Sequence, residues 1–158
     1  IETIENLAAG AKGRIFMTSR QGHGNVRSLQ DALGWSVLLQ EQEAYLLPGV
    51  SSLESFSNEH TTSSGIRLLW TPGPTPGSSI AYAPMPWNVL FCGRLLLPVS
   101  ADRLAPSPNR RTFHKPLQMK SLEKLRQWIP SNPFPELASS GVAANSLGGQ
   151  LFGWEAWE

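Results

Sequence analysis

The sequence predicts an α/β fold, and two stretches of the chain carry this prediction. In the first stretch, a buried strand over 14–18 is followed by a helix over 25–33 and a second apolar strand over 36–40. This order is typical of a parallel crossover unit. In the second stretch, three strand candidates between 66 and 92 are separated by Pro- and Gly-rich turns, which indicates an antiparallel meander.

Local signals set the ends of the first elements. Residues 2–9 are predicted to be helical. Asn25 can cap the helix after the first strand, and Gly34 supplies its C-terminal stop. The strand over 36–40 is apolar enough to be covered on both faces. The strands of the meander are predicted at 66–70, 79–83 and 88–92.

The second half of the chain is predicted to hold a loop, a helix and a last strand. Residues 96–115 are rich in proline and arginine and lack periodicity, which favours a long loop. A helix is expected over 117–128 because apolar residues recur there at helical spacing, and it must end before Pro130. Residues 136–140 are predicted to form the last short strand.

Length and composition indicate one globular domain over 1–158, either complete in itself or a fragment of a longer chain. No apolar run approaches the roughly 18 residues that a membrane-spanning helix needs, and no signal peptide is visible. The single cysteine, Cys92, excludes an internal disulfide and fits a reducing compartment. We therefore predict a cytoplasmic protein without a membrane partner.

Positive charge is concentrated in the segment 94–126, which holds eight basic and two acidic residues. Such a segment could attract an anionic partner, although a solvated loop and helix face is the favoured interpretation. Binding of nucleic acid is not expected, because no helix-turn-helix, zinc-finger or aromatic ribonucleoprotein signature accompanies the charge.

Four motifs stand in a fixed order along the chain. They read IFMTSRQGHGNVRSLQDALGWSVLLQ, TPGPTPGS, VLFCGRLLL, and SLEKLRQWIP followed by ELASSGVA. Their order resembles that of the metallo-β-lactamase superfamily, whose turn reads Thr-Pro-Gly-His-Thr-Pro-Gly-Ser. The resemblance covers roughly 3–142 and implies an αββα sandwich, in which two sheets pack face to face with helices outside. It also implies that the first N-terminal strands are missing, so that a partner or a further segment covers the exposed sheet edge.

In that family, imidazoles and carboxylates hold one or two zinc-like ions that activate a bound water. The resemblance places none of the family's ligands at these positions, which are occupied by Ser19, Gln21, His23, Gly24, Pro74, Arg94 and Ser140. His23 stands where an aspartate is expected, Pro74 replaces the turn histidine, and Arg94 replaces the metal-bridging aspartate. A fixed cation at that position would repel a divalent ion. The resemblance therefore implies a lost metal site and no cofactor.

Other chemistry-bearing residues give weaker signals. The three histidines, His23, His60 and His114, have no ligand spacing between them, so solvated or structural roles are favoured. Arg20 and Arg94 could together hold a carboxylate or phosphate, although a structural role for Arg94 is the favoured interpretation. Cys92 is predicted to be a small buried side chain, and not a reactive thiol.

These observations lead to three hypotheses. The first is a non-catalytic pseudoenzyme with a binding or assembly role, which binds a protein partner or forms a homo-oligomer. The second is a residual metal-dependent hydrolase that uses His23 or His114 in a rearranged zinc site. The third is an anion-binding module built on the basic segment 94–126. Fold alone does not decide among them.

Overall fold

The structure is a computed structural model that describes residues 1–106, 113–140 and 151–158. The helices are α1 (Glu2–Ala8), α2 (His23–Leu33), α3 (Glu41–Ala44) and α4 (Lys115–Trp128), and single 3-10 turns span Arg20–Gly22 and Trp154–Ala156. The strands are β1 (Arg14–Met17), β2 (Ser36–Gln40), β3 (Leu53–Phe56), β4 (Glu59–Thr61), β5 (Arg67–Trp70), β6 (Ser79–Ala83), β7 (Val89–Gly93), β8 (Leu97–Pro98), β9 (Leu104–Ala105) and β10 (Glu136–Ser139). Across the described ranges, no helix is long and apolar enough to cross a membrane.

Two main sheets and one short hairpin organise the described part of the chain. The first sheet has three parallel strands in the order β1-β2-β3. The second has five strands in the order β10-β7-β6-β5-β4, of which only the pair β10 and β7 is parallel. β8 and β9 form a separate antiparallel pair. The predicted parallel crossover and the predicted meander are both present, so the α/β fold class is confirmed.

The alternation of buried residues along the strands places the two sheets face to face between helices. In β2, Val37 and Leu39 belong to the cluster that contains Val26 of α2, whereas Leu38 belongs to the cluster between the sheets. In β5, Leu68 belongs to that inter-sheet cluster, whereas Leu69 belongs to the cluster formed with α4. Because neighbouring strand residues point to opposite faces, the layers run helix, sheet, sheet, helix.

The largest core cluster lies on the outer side of the five-stranded sheet and includes the end of the chain. Trp154 and Trp157 are buried there together with Leu122 and Leu125 of α4. The rings of Trp154 and Phe134 stack with centroids 4.6 Å apart. The terminal tryptophans therefore cover the domain's own core, and they are not exposed anchors for a partner.

Several elements differ from the sequence prediction. α2 begins at His23 and not at Asn25, because the 3-10 turn over 20–22 runs directly into it. α3, β3 and β4 were not predicted, and each has only three or four residues. The expected loop over 96–115 contains β8, β9 and the first residue of α4, and its residues 107–112 lie outside the described part.

Replacing Leu125 tests the core beneath α4. Leu125→Ala should lower the free energy of unfolding by about 2–5 kcal/mol, since it removes a fully buried side chain and leaves a cavity. Leu7→Ala is the matched control, because Leu7 is 82% exposed and should change stability by less than about 0.5 kcal/mol. Urea unfolding followed by tryptophan fluorescence measures both. Equal effects of the two substitutions would contradict the assignment of this core.

Candidate functional site

Four chain segments meet at one end of the sandwich, where the resemblance places the metal ligands. The Ser79 amide at the start of β6 donates to the Thr18 carbonyl, just after β1, at 2.8 Å. Gly93, at the end of β7, approaches Thr18 so closely that a Cβ there would lie 2.8 Å from the Thr18 Cβ. The Ser140 amide, just after β10, donates to the Gly93 carbonyl at 3.0 Å. The fold therefore brings the predicted positions to a common edge.

The loop after β1 carries four of the predicted positions. Ser19 is buried, and its hydroxyl accepts a hydrogen bond from the Gln21 amide at 3.4 Å, so it caps the 3-10 turn. Gln21 and Gly24 are exposed. His23 opens α2, and its Nε2 is buried without a hydrogen-bond partner among the described residues. One side chain of this loop, His23, therefore offers an imidazole.

The turn over 71–78 is packed against the start of α4. Pro74 is buried, and its carbonyl accepts from the Phe113 amide at 3.3 Å. The neighbouring Gly73 carbonyl accepts from the His114 amide at 3.0 Å. A Cβ on Gly73 would lie 2.5 Å from the Cα of Gln118, so α4 sits directly on this turn. The central residue of the turn, Pro74, is therefore part of a packed contact.

A buried carboxylate, which the sequence analysis did not single out, connects the loop and the turn. Glu43 of α3 is 0% exposed, and its Oε2 accepts from the Arg20 Nε at 2.6 Å. Its Oε1 accepts from the Gly77 amide at 3.0 Å and from the Thr75 hydroxyl. A Cβ on Gly77 would lie 2.4 Å from the Glu43 Cγ, so only glycine fits there. Glu43 thus holds the loop after β1 and the turn before β6 together.

The partners of Glu43 replace the hydration that its carboxylate loses on burial. A carboxylate removed from water is stable only when a cation and hydrogen-bond donors replace its hydration. Arg20 supplies the charge while keeping 30% of its side chain exposed, and Thr75 and Gly77 supply donors. These bonds are charge-assisted and therefore stronger than hydrogen bonds between neutral groups.

The predicted pairing of Arg20 and Arg94 at an anion is not tested by this geometry. Arg20 already has a carboxylate partner, Glu43, within the chain. Arg94 follows Gly93 at the common edge and is exposed. The anion site therefore stays a prediction. An anionic ligand bound there would compete with Glu43 for Arg20. Two cations of the basic segment, Arg110 and Arg111, lie outside the described residues.

The donor set at this edge does not fit a metal centre of the family's kind. The remaining histidines have other contacts: His60 stacks on Phe56, and the His114 Nδ1 accepts from the Leu117 amide at the start of α4. Among the residues that the structure describes, no three His, Cys, Asp or Glu side chains are grouped as metal ligands would be.

Cys92 lies on β7, one residue before this edge, and is completely buried. Its Sγ donates to the Ala138 carbonyl at 3.2 Å. Burial raises the pKa of the Cys92 thiol to about 12 from 9.0. The thiol therefore stays protonated at neutral pH, as expected of a packing residue.

Glu43→Gln tests the buried network. The substitution keeps the side-chain shape but removes the charge, which leaves Arg20 without its counter-ion. We expect a loss of about 2–3 kcal/mol in the free energy of unfolding and faster hydrogen exchange of the Gly77 amide. Glu41→Gln is the matched control on α3, because Glu41 is exposed. A similar effect of both substitutions in urea unfolding would show that the network does not hold these loops.

The thiol of Cys92 gives a second test. Because the folded pKa lies about three pH units above the unfolded one, a thiol-reactive disulfide reagent at pH 8 should label native protein only through unfolding. We expect labelling at least about a hundredfold slower in buffer than in denaturant. Rapid stoichiometric labelling of the native protein would contradict the burial of this side chain.

The chain was compared with known proteins, and its similarity to solved structures supports the fold. No protein-family model and no curated protein matches the chain. Among solved structures, it is similar to TTHA1623 in a di-iron-bound form, with 18% identity and a TM-score of 0.64 over 87% of this chain and 75% of that one. The BLEG-1 B3 metallo-β-lactamase is 19% identical, with a TM-score of 0.63 over 87% and 73%. The metallo-β-lactamase from Pontibacter korlensis is 16% identical, with a TM-score of 0.67 over 87% and 67%.

These neighbours correct one prediction and confirm another. The prediction of no cofactor was wrong, because proteins with this fold bind metals. One similar chain was solved in a di-iron-bound form, and two others are named metallo-β-lactamases. The described residues do not supply the family's ligand set, so the cofactor of this chain is unresolved. The predicted architecture, by contrast, is confirmed: the chain has the metallo-β-lactamase fold.

Proposed function

We propose that this chain is a non-catalytic protein of the metallo-β-lactamase fold with a binding or assembly role. The observation that carries the proposal is the buried ion pair of Arg20 and Glu43, which joins the loop and the turn that meet at the common edge. In this arrangement the loops are held by groups of the chain itself. Their geometry therefore does not depend on ligands to a catalytic ion.

The residues around this network support the same proposal. Pro74 contributes neither an ionisable group nor a donor at the centre of its turn, and α4 packs on that turn. Arg94 adds a positive charge at the edge, which disfavours a divalent ion nearby. General acid–base or nucleophilic chemistry would need a base within hydrogen-bond reach of the reacting group. His23 is the one imidazole on the loop, and among the described residues its Nε2 has no hydrogen-bond partner.

A residual metal-dependent hydrolase is the alternative, and one observation favours it. The His23 Nε2 is buried without a hydrogen-bond partner among the described residues, as a ligand atom awaiting an ion could be. The solved neighbours include an N-acyl homoserine lactone hydrolase with product at its catalytic metal centre, 14% identical over 80% of this chain and 54% of that one. We also propose a cytoplasmic location, because a single cysteine that forms no disulfide fits a reducing compartment.

A hydrolysis assay separates these two functions. Phosphodiester, thioester, lactone and lactam substrates are incubated with the protein in zinc- or manganese-supplemented buffer, with and without a chelator. We expect the substrates to stay intact at the rate of the buffer blank, because no aligned position keeps the family's ligand. A metallo-β-lactamase of the same fold, assayed in parallel, shows that the conditions support turnover.

The variant His23→Asn gives the assay its internal control. It removes the imidazole while keeping a polar side chain at the start of α2. Chelator-sensitive turnover by the wild type that is lost in this variant would overturn the proposal in favour of the hydrolase. Chelator-sensitive turnover that persists in this variant but is lost in His114→Asn would favour the hydrolase as well. Turnover that persists in both variants would point to a contaminating enzyme, and the proposal would stand.

A further inference from the structure

A cleft opens between the two main sheets at the end of the sandwich opposite the common edge. β1 and β2 are parallel, and both begin at this end, at Arg14 and Ser36. β5 begins there too, because it runs antiparallel to β6, whose first residue, Ser79, lies at the common edge. The cleft has a volume of about 320 Å³, which is within the range of small-molecule sites.

The floor of this cleft is apolar. Its residues include Phe16 of β1, Leu38 of β2, Ile66 just before β5, and Leu68 of β5. Leu38 and Leu68 belong to the inter-sheet cluster, whereas Phe16 and Ile66 pack against it and stay partly exposed. The turn between β4 and β5 forms one wall, where the Thr62 amide donates to the Ile66 carbonyl at 2.9 Å. The cleft is therefore an opening into the inter-sheet core with a hydrogen-bonded wall.

The mouth of the cleft is polar and carries positive charge. A neighbouring cleft of about 390 Å³ adjoins it there, and both are lined by Lys12, Gly13, Arg14 and Ser63. Arg14 forms an ion pair with Glu54, whose Oε2 lies 3.5 Å from the Arg14 Nη1. Lys12 is exposed and has no acidic partner among the described residues. Two cations and one carboxylate leave the mouth with a net positive charge.

We propose that this cleft binds a single-chain amphiphile with a carboxylate head, such as a medium-chain fatty acid. The alkyl chain lies on the apolar floor, where it is removed from water. The carboxylate accepts hydrogen bonds from Lys12 and Arg14 at the mouth. The cleft is at the opposite end of the sandwich from the loops on which the proposed function depends, so this ligand is additional to that function.

The shape and polarity of the cleft favour an alkyl chain over a polypeptide segment, whether that segment belongs to the same chain or to another one. A helix with its side chains is about 10–12 Å in diameter, as wide as the usual separation of packed sheets, so it does not fit between them. An extended segment would bring backbone N–H and C=O groups onto the floor, where the side chains of Phe16, Leu38 and Leu68 cannot pair with them. An alkyl chain has no such groups.

Calorimetry with decanoate tests the class of ligand. Decanoate is titrated into the protein below its micellar concentration, and acetate and decyltrimethylammonium are titrated as controls for the head and the tail. We expect decanoate to bind with a Kd below about 1 mM, and acetate not to bind measurably. The cationic amphiphile should bind at least about fivefold more weakly than decanoate. No binding of decanoate, or equal binding of either control, would overturn the proposal.

Two variants and two matched controls locate the binding site. Ile66→Ser should weaken decanoate binding by about fivefold or more, since the alkyl chain loses an apolar contact. Lys12→Glu should weaken it by about two- to fivefold and bring the affinities for the anionic and cationic amphiphiles closer together. Val99→Ser and Lys120→Glu make the same kinds of change at exposed residues outside the cleft and should leave the affinity unchanged. Thermal unfolding confirms that each variant is folded.

Methyl NMR shows where the amphiphile binds in the wild type. Saturating decanoate should shift the methyl signals of Ile66 and Leu68 and leave those of Leu125, which lies beneath α4, unchanged. Shifts at Leu125 alone, or binding that is insensitive to both Ile66→Ser and Lys12→Glu, would overturn the cleft as the site. A cleft already filled by another segment of the same polypeptide would bind no decanoate, which would overturn the proposal as well. Failure of any of these tests would leave the proposed function intact, because the hydrolysis assay tests the common edge.

Discussion

The burial of the Glu43 carboxylate is the constraint on which the edge of this sandwich depends. A fully buried charge must be paired, and the partners of Glu43 come from two different parts of the chain. Arg20 comes from the loop after β1, and Thr75 and Gly77 come from the turn before β6. Because Gly77 leaves no room for a side chain, the turn can approach α3 closely enough to donate its amide. One acid on α3 therefore sets the positions of the loop after β1 and of the turn before β6.

This ion pair changes what the edge can do chemically. The resemblance assigns to these loops a set of imidazoles and carboxylates, which repel one another until a metal ion neutralises them. Here the loops carry a cation and an anion that attract each other within the chain. An edge of this composition is held in place whether or not an ion is bound. Among the described residues, no three His, Cys, Asp or Glu side chains converge there as metal ligands would.

The sequence predicted the long elements, and it missed features that depend on distant contacts. β2 was predictable because Val37, Leu38 and Leu39 form one apolar run, and Pro74 was recognisable from the motif around it. β3 could not be predicted, because it has only four residues and its apolar and polar side chains do not alternate. Glu43 could not be singled out from the sequence, because its partners lie 23 to 34 residues away along the chain.

A second set of contacts, which does not involve Glu43, fixes the end of β1 at the common edge. The Thr18 carbonyl accepts from the Ser79 amide, and Gly93 lies so close to Thr18 that a Cβ there would clash with it. The Ser140 amide in turn donates to the Gly93 carbonyl, so the ends of four strands are joined largely through the backbone. Hydrogen bonds between backbone groups do not depend on which side chains surround them. This edge can therefore keep the geometry of the fold although its side chains differ from those that the resemblance implies.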